Sequence, residues 1–220
     1  MSEDKTYEWL MGGASPALVD AFDAHVLASI IALSALEAGG FNRLTSDSLG
    51  LTDAQFADVL SDVFPHVAAP LAPSRPAQLP HAADDETCLR ELLFRFSSSG
   101  SALEQRLSAM MARRAIRPNH LWQDLGLRNR NELSTLMLRH FRPLATRNSS
   151  DMKWKKFLYR MICRDEGFRL CTAPCCADCD DFAACFGEES GESLLAGIRR
   201  QLGLERRPNG ATPLVISLDT

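Results

Sequence analysis

The chain of 220 residues lacks the features of a membrane-spanning or secreted protein. Crossing a bilayer takes about 20 apolar residues, whereas the longest apolar stretch, residues 26–38, is interrupted by Ser29, Ser34 and Glu37. The first ten residues, MSEDKTYEWL, are polar and acidic, while a secretion signal begins with basic residues and continues with an apolar core. We therefore expect a cytoplasmic protein without a membrane span.

Patterns of common enzymes are missing as well. The few glycines form neither a GxGxxG sequence nor a P-loop, and no set of residues resembles a nucleophile paired with a base. No alternating pattern typical of a β-strand occurs before the LVIS sequence close to the end. The sequence therefore predicts an all-α protein, and it contains none of these enzyme patterns.

Helix-start signals and prolines indicate how the chain is organised. Ser15 followed by Pro16 predicts the start of a long core helix. Two pairs form capping-box patterns at later helix starts, Thr52 with Gln55 and Ser101 with Glu104. We expect one compact multi-helix domain over residues 1–205, containing a proline-rich linker at 65–83 and a C-terminal cysteine-rich cluster-binding loop at 171–185. Residues 206–220 are expected to form a loose tail.

Four cysteines near the C-terminus form the strongest metal-binding pattern of the chain. Cys171, Cys176, Cys179 and Cys185 follow the spacing C-x4-C-x2-C-x5-C within fifteen residues, and Pro174 forces a turn among them. The first three repeat the C-x4-C-x2-C opening of plant-type ferredoxins. We therefore expect this cysteine array to bind an iron–sulfur cluster through four thiolates.

Two other uses of cysteine compete with a cluster. Structural zinc sites usually take two separated cysteine pairs or add histidine, and no histidine follows His140. A disulfide framework needs an oxidising compartment and an even number of thiols, whereas this chain has seven cysteines. Zinc is therefore the main alternative, and a disulfide framework is not expected.

Three further residues are possible metal ligands. Cys175 is adjacent to Cys176 but lies outside the spacing, so either thiol could bind at that position. His25 and His120 could supply nitrogen on the open side of a cluster, because imidazole commonly binds iron. A single histidine in such a position is more often a cap or a hydrogen-bonded core residue. The sequence thus favours a structural role for both histidines, with metal binding as the alternative.

Charge is unevenly distributed along a chain whose net charge is −4. Residues 1–100 contain 5 basic and 14 acidic residues, while residues 101–170 contain 15 basic and 6 acidic residues. Within this basic block, seven arginines lie on predicted short helices: Arg113, Arg114, Arg117, Arg128, Arg130, Arg139 and Arg142. They are compatible with a helix-turn-helix that binds DNA. Because the chain is acidic overall, a solvated face or an anion site is the favoured interpretation.

Basic residues also lie shortly before the cysteine array. The predicted anion or docking site consists of Lys153, Lys155, Lys156 and Arg160. A four-iron cluster with four thiolates is negatively charged, so nearby cations would stabilise it, and they would also attract an incoming oxyanion. The aromatic residues among them, such as Trp154 and Phe157, are more often core residues than a platform for stacking nucleotides.

Several stretches of the chain resemble the NifQ family of nitrogen-fixation proteins. They are FDAHVLAS at 22–29, RPNHLWQDLGL at 117–127, DMKWKKFLYR at 151–160, and the cysteine array followed by FGEE. The resemblance covers nearly the whole chain apart from the proline-rich linker and the final tail. It implies an oxygen-sensitive iron–sulfur cluster that carries molybdenum, with the four cysteines of the array as its ligands, and a donor protein instead of a catalyst.

By the same resemblance, the molybdenum would serve the nitrogenase iron–molybdenum cofactor. The implied recipients are the cofactor-assembly scaffold and the nitrogenase iron protein, and neither a membrane nor a nucleic acid is expected as a partner. The residues taken alone leave two alternatives open. One is an iron–sulfur regulator that senses redox state and binds DNA, and the other is a zinc-stabilised interaction module.

Overall fold

The structure is a computed structural model that describes residues 5–14, 19–67 and 84–165. The helices are α1 (Thr6–Gly12), α2 (Ala21–Glu37), α3 (Asp53–Val63), α4 (Asp84–Arg95), α5 (Ala102–Ala115), α6 (Leu121–Asp124), α7 (Arg130–His140), α8 (Arg142–Ala145) and α9 (Trp154–Asp165). Over these ranges the chain forms no strand, and the predicted all-α fold class is confirmed. None of the helices in the same ranges is long and apolar enough to span a membrane. Most of the predicted linker, the cysteine array and the predicted tail lie outside the described residues.

α2 is the central helix of the core. Every residue from Asp23 to Ala35 is buried, so this helix is covered on all sides. α1 packs along α2, and α4 packs against α5 and α9. The buried apolar residues form one continuous cluster to which each of the nine helices named above contributes. α9, the helix that precedes the cysteine array in sequence, is thus part of the main core.

Side-chain caps determine where α3 and α5 begin. The Thr52 hydroxyl accepts a hydrogen bond from the Gln55 backbone N–H (3.2 Å), and the Gln55 side chain accepts one from the Thr52 backbone N–H (3.0 Å). Ser101 and Glu104 form the same reciprocal pair, with both distances at 3.2 Å. Both predicted capping boxes are confirmed.

The predicted start of the long core helix was wrong. α2 begins at Ala21, and Asp20 caps it by accepting a hydrogen bond from the Phe22 backbone N–H at 2.8 Å. A carboxylate at this position satisfies an otherwise unpaired N–H and interacts favourably with the helix dipole. Ser15 lies outside the described residues, and the separate helix α1 before it was not predicted.

Gly50 shows how tightly the turn before α3 packs against α5. Its φ is +71°, and a β-carbon there would lie 2.8 Å from the Ala109 carbonyl oxygen and 3.0 Å from Arg113 Cβ. Gly100 has the same φ of +71°, but nothing lies within 4 Å of a β-carbon at that position. Replacing Gly100 with alanine should lower the free energy of unfolding by about 1 kcal/mol through backbone strain. Gly50→Ala should cost about 1–3 kcal/mol more, because it also crowds α5.

Chemical denaturation of the two glycine variants measures this difference directly. Since the backbone strain is the same at both positions, the excess loss in Gly50→Ala reports only the crowding against α5. Equal losses would show that the turn can move away from Ala109, which would contradict the close packing described above.

Candidate functional site

The predicted cluster ligands Cys171, Cys176, Cys179 and Cys185, together with Cys175, lie outside the described residues. Among the residues that the structure does describe, no group of three or more His, Cys, Asp or Glu side chains could hold a metal ion. α9 ends at Asp165, six positions before Cys171 in the sequence. α9 is therefore the described element nearest to the array in sequence, and its contacts with the other helices determine how the chain leading to the array is held.

A largely buried ion pair attaches the first turn of α9 to α6. The Lys155 ammonium donates hydrogen bonds to a carboxylate oxygen of Asp124 and to the backbone carbonyl of Arg117. Asp124 is only 1% exposed, and its other carboxylate oxygen accepts a hydrogen bond from Asn119 Nδ2 at 3.0 Å. The charge of Lys155 is therefore compensated within the protein, although the sequence assigned this residue to an anion or docking site.

Arg114 connects the same carboxylate residue to α2. Its side chain is fully buried, and its Nε donates a hydrogen bond to the backbone carbonyl of Asp124. Its two terminal nitrogens bind the two carboxylate oxygens of Glu37, each at 2.7 Å, in the bidentate geometry that favours arginine at buried sites. This ion-pair network consists of Glu37, Arg114, Asn119, Asp124 and Lys155. It joins α2, α5, α6 and α9.

The Glu37 carboxylate makes the network sensitive to acid. Burial alone would raise the pKa of Glu37, but the hydrogen bonds and charge of Arg114, with a further contribution from Arg117, outweigh it and lower the pKa below the ordinary value of 4.5. A carboxyl group whose pKa is lowered on folding stabilises the fold above its unfolded pKa. That stabilisation is lost as the pH falls below 4.5 and through the lower pKa of the folded state.

A second set of polar contacts holds the 22–29 stretch against α1 and α7. The Nδ1 atom of His25 lies 2.7 Å from the Tyr7 hydroxyl, and its Nε2 atom lies 3.1 Å from a carboxylate oxygen of Glu132. Asp23 contacts the Nε2 atom of His140 at 2.9 Å. Both ring nitrogens of His25 already have partners, so a metal ion bound there would have to displace one of them.

His120, the other candidate histidine, is the half-buried residue immediately before α6. Its backbone N–H donates a hydrogen bond to the Gln123 side-chain oxygen at 3.2 Å, which is the contact of a residue at a helix N-terminus. The positions of both histidines agree with the structural role that the sequence favours. Metal binding by either of them stays a prediction.

The predicted anion or docking site divides into different environments. Lys153 is half-buried just before α9, and Lys155 is held by Asp124. Lys156 and Arg160 are exposed and lie four residues apart on α9, which places them on the same face of the helix. An anion approaching α9 from solvent would therefore meet Lys156 and Arg160 first.

Most of the seven arginines that the sequence places on short helices of the basic block are paired with carboxylates. Six of the seven form ion pairs: Arg113 with Glu86, Arg114 and Arg117 with Glu37, Arg128 with Glu132, Arg130 with Asp151, and Arg139 with Asp20. The acidic residues of the first hundred positions thus compensate much of the positive charge that follows them in sequence. This arrangement weakens the DNA-binding interpretation, because compensated arginines attract phosphate less strongly.

Comparison with known proteins places this chain in one family. The family model for NifQ matches residues 26–187, a span that begins in α2 and includes the whole cysteine array. A NifQ homolog from Sinorhizobium fredii is 35% identical over 172 residues, which cover 78% of this chain and 75% of that protein. The NifQ protein of Rhodobacter capsulatus is 38% identical over 168 residues, or 76% of this chain and 91% of that protein. No solved structure matches the chain.

The described residues form an all-helical fold, and in the sequence a four-cysteine array follows the last described helix. The chain belongs to the NifQ family, as the extent of both matches shows. Proteins of this family are involved in nitrogen fixation. The match also includes the NifQ protein of Azotobacter vinelandii, at 32% identity over 152 residues that cover 64% of this chain and 78% of that protein.

Proposed function

We propose that this chain is an iron–sulfur protein that binds molybdenum and donates it for synthesis of the nitrogenase iron–molybdenum cofactor. The observation that carries the proposal is the array of four cysteines within fifteen residues of a NifQ-family chain. Thiolates are soft ligands that suit iron–sulfur clusters, and the C-x4-C-x2-C opening occurs in ferredoxins. Cys171, Cys176, Cys179 and Cys185 would therefore hold the cluster.

The proposed role is that of a carrier and not an enzyme. All four ligands come from one short segment of the chain. Such a segment can release a bound cluster more readily than a cage built from several helices, because fewer parts of the fold must separate. Ready release suits a protein whose bound metal is cargo, so we propose no catalytic residue.

The ion-pair network is proposed to give the array a fixed base. Lys155 lies sixteen residues before Cys171, and its ammonium is bound to a carboxylate that is itself held by Asn119. The start of α9 is therefore tied to α6, and Arg114 ties α6 to α2. The exposed cations Lys156 and Arg160 are proposed to stabilise the negative charge of a cluster or of an incoming oxyanion.

The proposed recipients are the cofactor-assembly scaffold and the nitrogenase iron protein, with transfer in the cytoplasm. A deletion of this gene should lower molybdenum-dependent nitrogen fixation when molybdate is scarce, and excess molybdate should largely restore it. A donor protein accelerates the delivery of molybdenum, but a high concentration of molybdate can drive the same incorporation without the donor. Nitrogenase activity of the deletion strain, measured across a molybdate series, tests this expectation.

The same series separates the proposal from its alternatives. A transcriptional regulator or a zinc-stabilised interaction module could not be replaced by raising the concentration of an anion. A loss of nitrogenase activity of equal size at every molybdate concentration would therefore contradict the carrier function.

A further inference from the structure

An open cleft lies where the α4–α5 loop meets the end of α7 and the start of α8. Its volume is about 690 Å³, and its lining consists of Ser98, Thr135, Leu138, Arg139 and Arg142. None of these residues belongs to the ion-pair network or to the predicted cluster site. The cleft is therefore separate from the proposed metal site.

Hydrogen bonds between the two sides of the cleft fix its shape. The Ser98 backbone N–H donates to the His140 carbonyl at 2.8 Å, and the Arg142 backbone N–H donates to the Ser98 hydroxyl at 3.0 Å. The next loop residue, Ser99, donates from its N–H and its hydroxyl to the Glu104 carboxylate, each at 2.9 Å. Because these contacts already order the loop, a partner that bound here would lose little free energy in ordering it.

The two segments that form the cleft carry positive charge, part of which Asp20 and Asp23 compensate at Arg139. The two segments that form it, residues 94–100 and 135–150, contain four arginines and neither aspartate nor glutamate. Arg142 is exposed and makes no ion pair with the residues that the structure describes, in contrast to the six arginines that pair with carboxylates. Arg139 binds Asp20 through a single terminal nitrogen at 3.0 Å. The exposed guanidinium group of Arg142 can therefore bind a carboxylate of another protein.

An apolar side chain also lines the cleft. Leu138 is 52% exposed, although it belongs to a helix with a well-buried opposite face. A half-exposed leucine beside arginines fits a protein interface, where arginine is enriched and the centre is apolar. A free oxyanion needs no apolar contact, and a nucleic acid would face a chain with a net charge of −4.

We propose that this cleft docks an acidic surface of the protein that receives the cargo, with a carboxylate bound at Arg142 and an apolar side chain packed on Leu138. The inference rests on the proposed function, because it takes the recipient to be the cofactor-assembly scaffold or the nitrogenase iron protein. It places docking on a face formed by α7 and α8, separate from the ion-pair network at the start of α9.

Charge reversal at the cleft tests this docking site. Full-length protein loaded under anaerobic conditions is prepared as wild type, as Arg142→Glu and as Arg43→Glu, and its affinity for each recipient is measured by biolayer interferometry at low and moderate salt. Arg43 is a matched control, because it is exposed and far from the cleft. The cleft residue Arg139 binds Asp20 at the start of α2, whereas Arg43 follows the end of α2, a helix of 17 residues that spans about 25 Å. Arg142→Glu should weaken binding about tenfold at low salt and less at moderate salt, as expected for a charge at the rim of an interface.

The metal content of each variant keeps this test independent of the proposed function. Arg142→Glu should retain its iron and molybdenum and lose only affinity for the recipients. Wild-type protein without molybdenum would contradict the carrier function, and the affinities of the variants would still test the docking site. Unchanged affinity of Arg142→Glu for both recipients, or equal losses in Arg142→Glu and Arg43→Glu, would overturn the docking site. A loss confined to molybdate uptake or to binding of a DNA duplex would also overturn it, since the cleft would then serve a small anion or a nucleic acid.

Discussion

Replacing Cys171, Cys179 or Cys185 with alanine is expected to remove both iron and acid-labile sulfide from the anaerobically purified protein. Each substitution takes away one of the four proposed thiolate ligands, which lie within fifteen residues. Among the described residues, no group of three or more His, Cys, Asp or Glu side chains could hold a metal in their place. Iron and sulfide analysis measures the effect. The helix content of α1 to α9 should stay the same, because the buried apolar residues of these helices form one continuous core.

Cys88→Ala is the matched control for the cysteine substitutions. Cys88 belongs to α4 and packs half-buried against the hydrophobic core, where a thiol behaves as a small apolar side chain. This variant should keep its cluster and lose at most a little stability. Retention of the cluster in Cys171→Ala, or loss of the cluster in Cys88→Ala, would contradict the proposed ligand set.

The position of Cys175 can be settled in the same experiment. The spacing assigns the second ligand to Cys176, but Cys175 is its direct neighbour. We expect Cys176→Ala to lose the cluster and Cys175→Ala to keep it. The reverse result would shift this ligand by one residue without changing the nature of the site.

Asp124→Asn is expected to lower the free energy of unfolding more than the other substitutions described here, by about 3–5 kcal/mol, because it removes the carboxylate that pairs with a mostly buried ammonium. The side chain of Asp124 is 2% exposed and that of Lys155 is 18% exposed. Asp58→Asn is the matched control, since its carboxylate pairs with Arg106 at 2.9 Å but is 57% exposed. An exposed pair of that kind contributes less than about 1 kcal/mol.

A double-mutant cycle shows whether the loss comes from the pair itself. Lys155→Met alone should also destabilise the protein, but Lys155→Met combined with Asp124→Asn should cost less than the sum of the two, because no unpaired charge remains buried. Urea denaturation of the four proteins gives the coupling energy. Strictly additive losses would show that Asp124 and Lys155 do not act as a pair.

The parts of the fold that short-range patterns encode could be predicted from the sequence. The capping boxes at Thr52 and Ser101 depend on residues three positions apart, so the sequence contains the whole interaction. The start of α2 was misplaced because Ser15 followed by Pro16 is as good a start signal as Asp20, and only the structure shows which one is used. Helix α1 has 7 residues, too few to show a helical period clearly.

The ion-pair network could not be predicted, because its members are far apart in the sequence. Lys155 and Asp124 are 31 residues apart, and Arg114 and Glu37 are 77 residues apart. No local pattern distinguishes Lys155 from its neighbour Lys156, although one is bound to a buried carboxylate and the other is exposed. The cysteine array is different, because all its proposed ligands are contained in one short segment.

Metal and sulfide analysis of the protein purified without oxygen tests the central claim most directly. A molybdenum-carrying cluster protein should be brown, should contain iron, acid-labile sulfide and molybdenum, and should lose the iron and sulfide on exposure to air, because a short ligand segment leaves the cluster accessible to oxygen. Stoichiometric zinc without sulfide, in protein that has never met oxygen, would contradict the claim and establish the array as a zinc site.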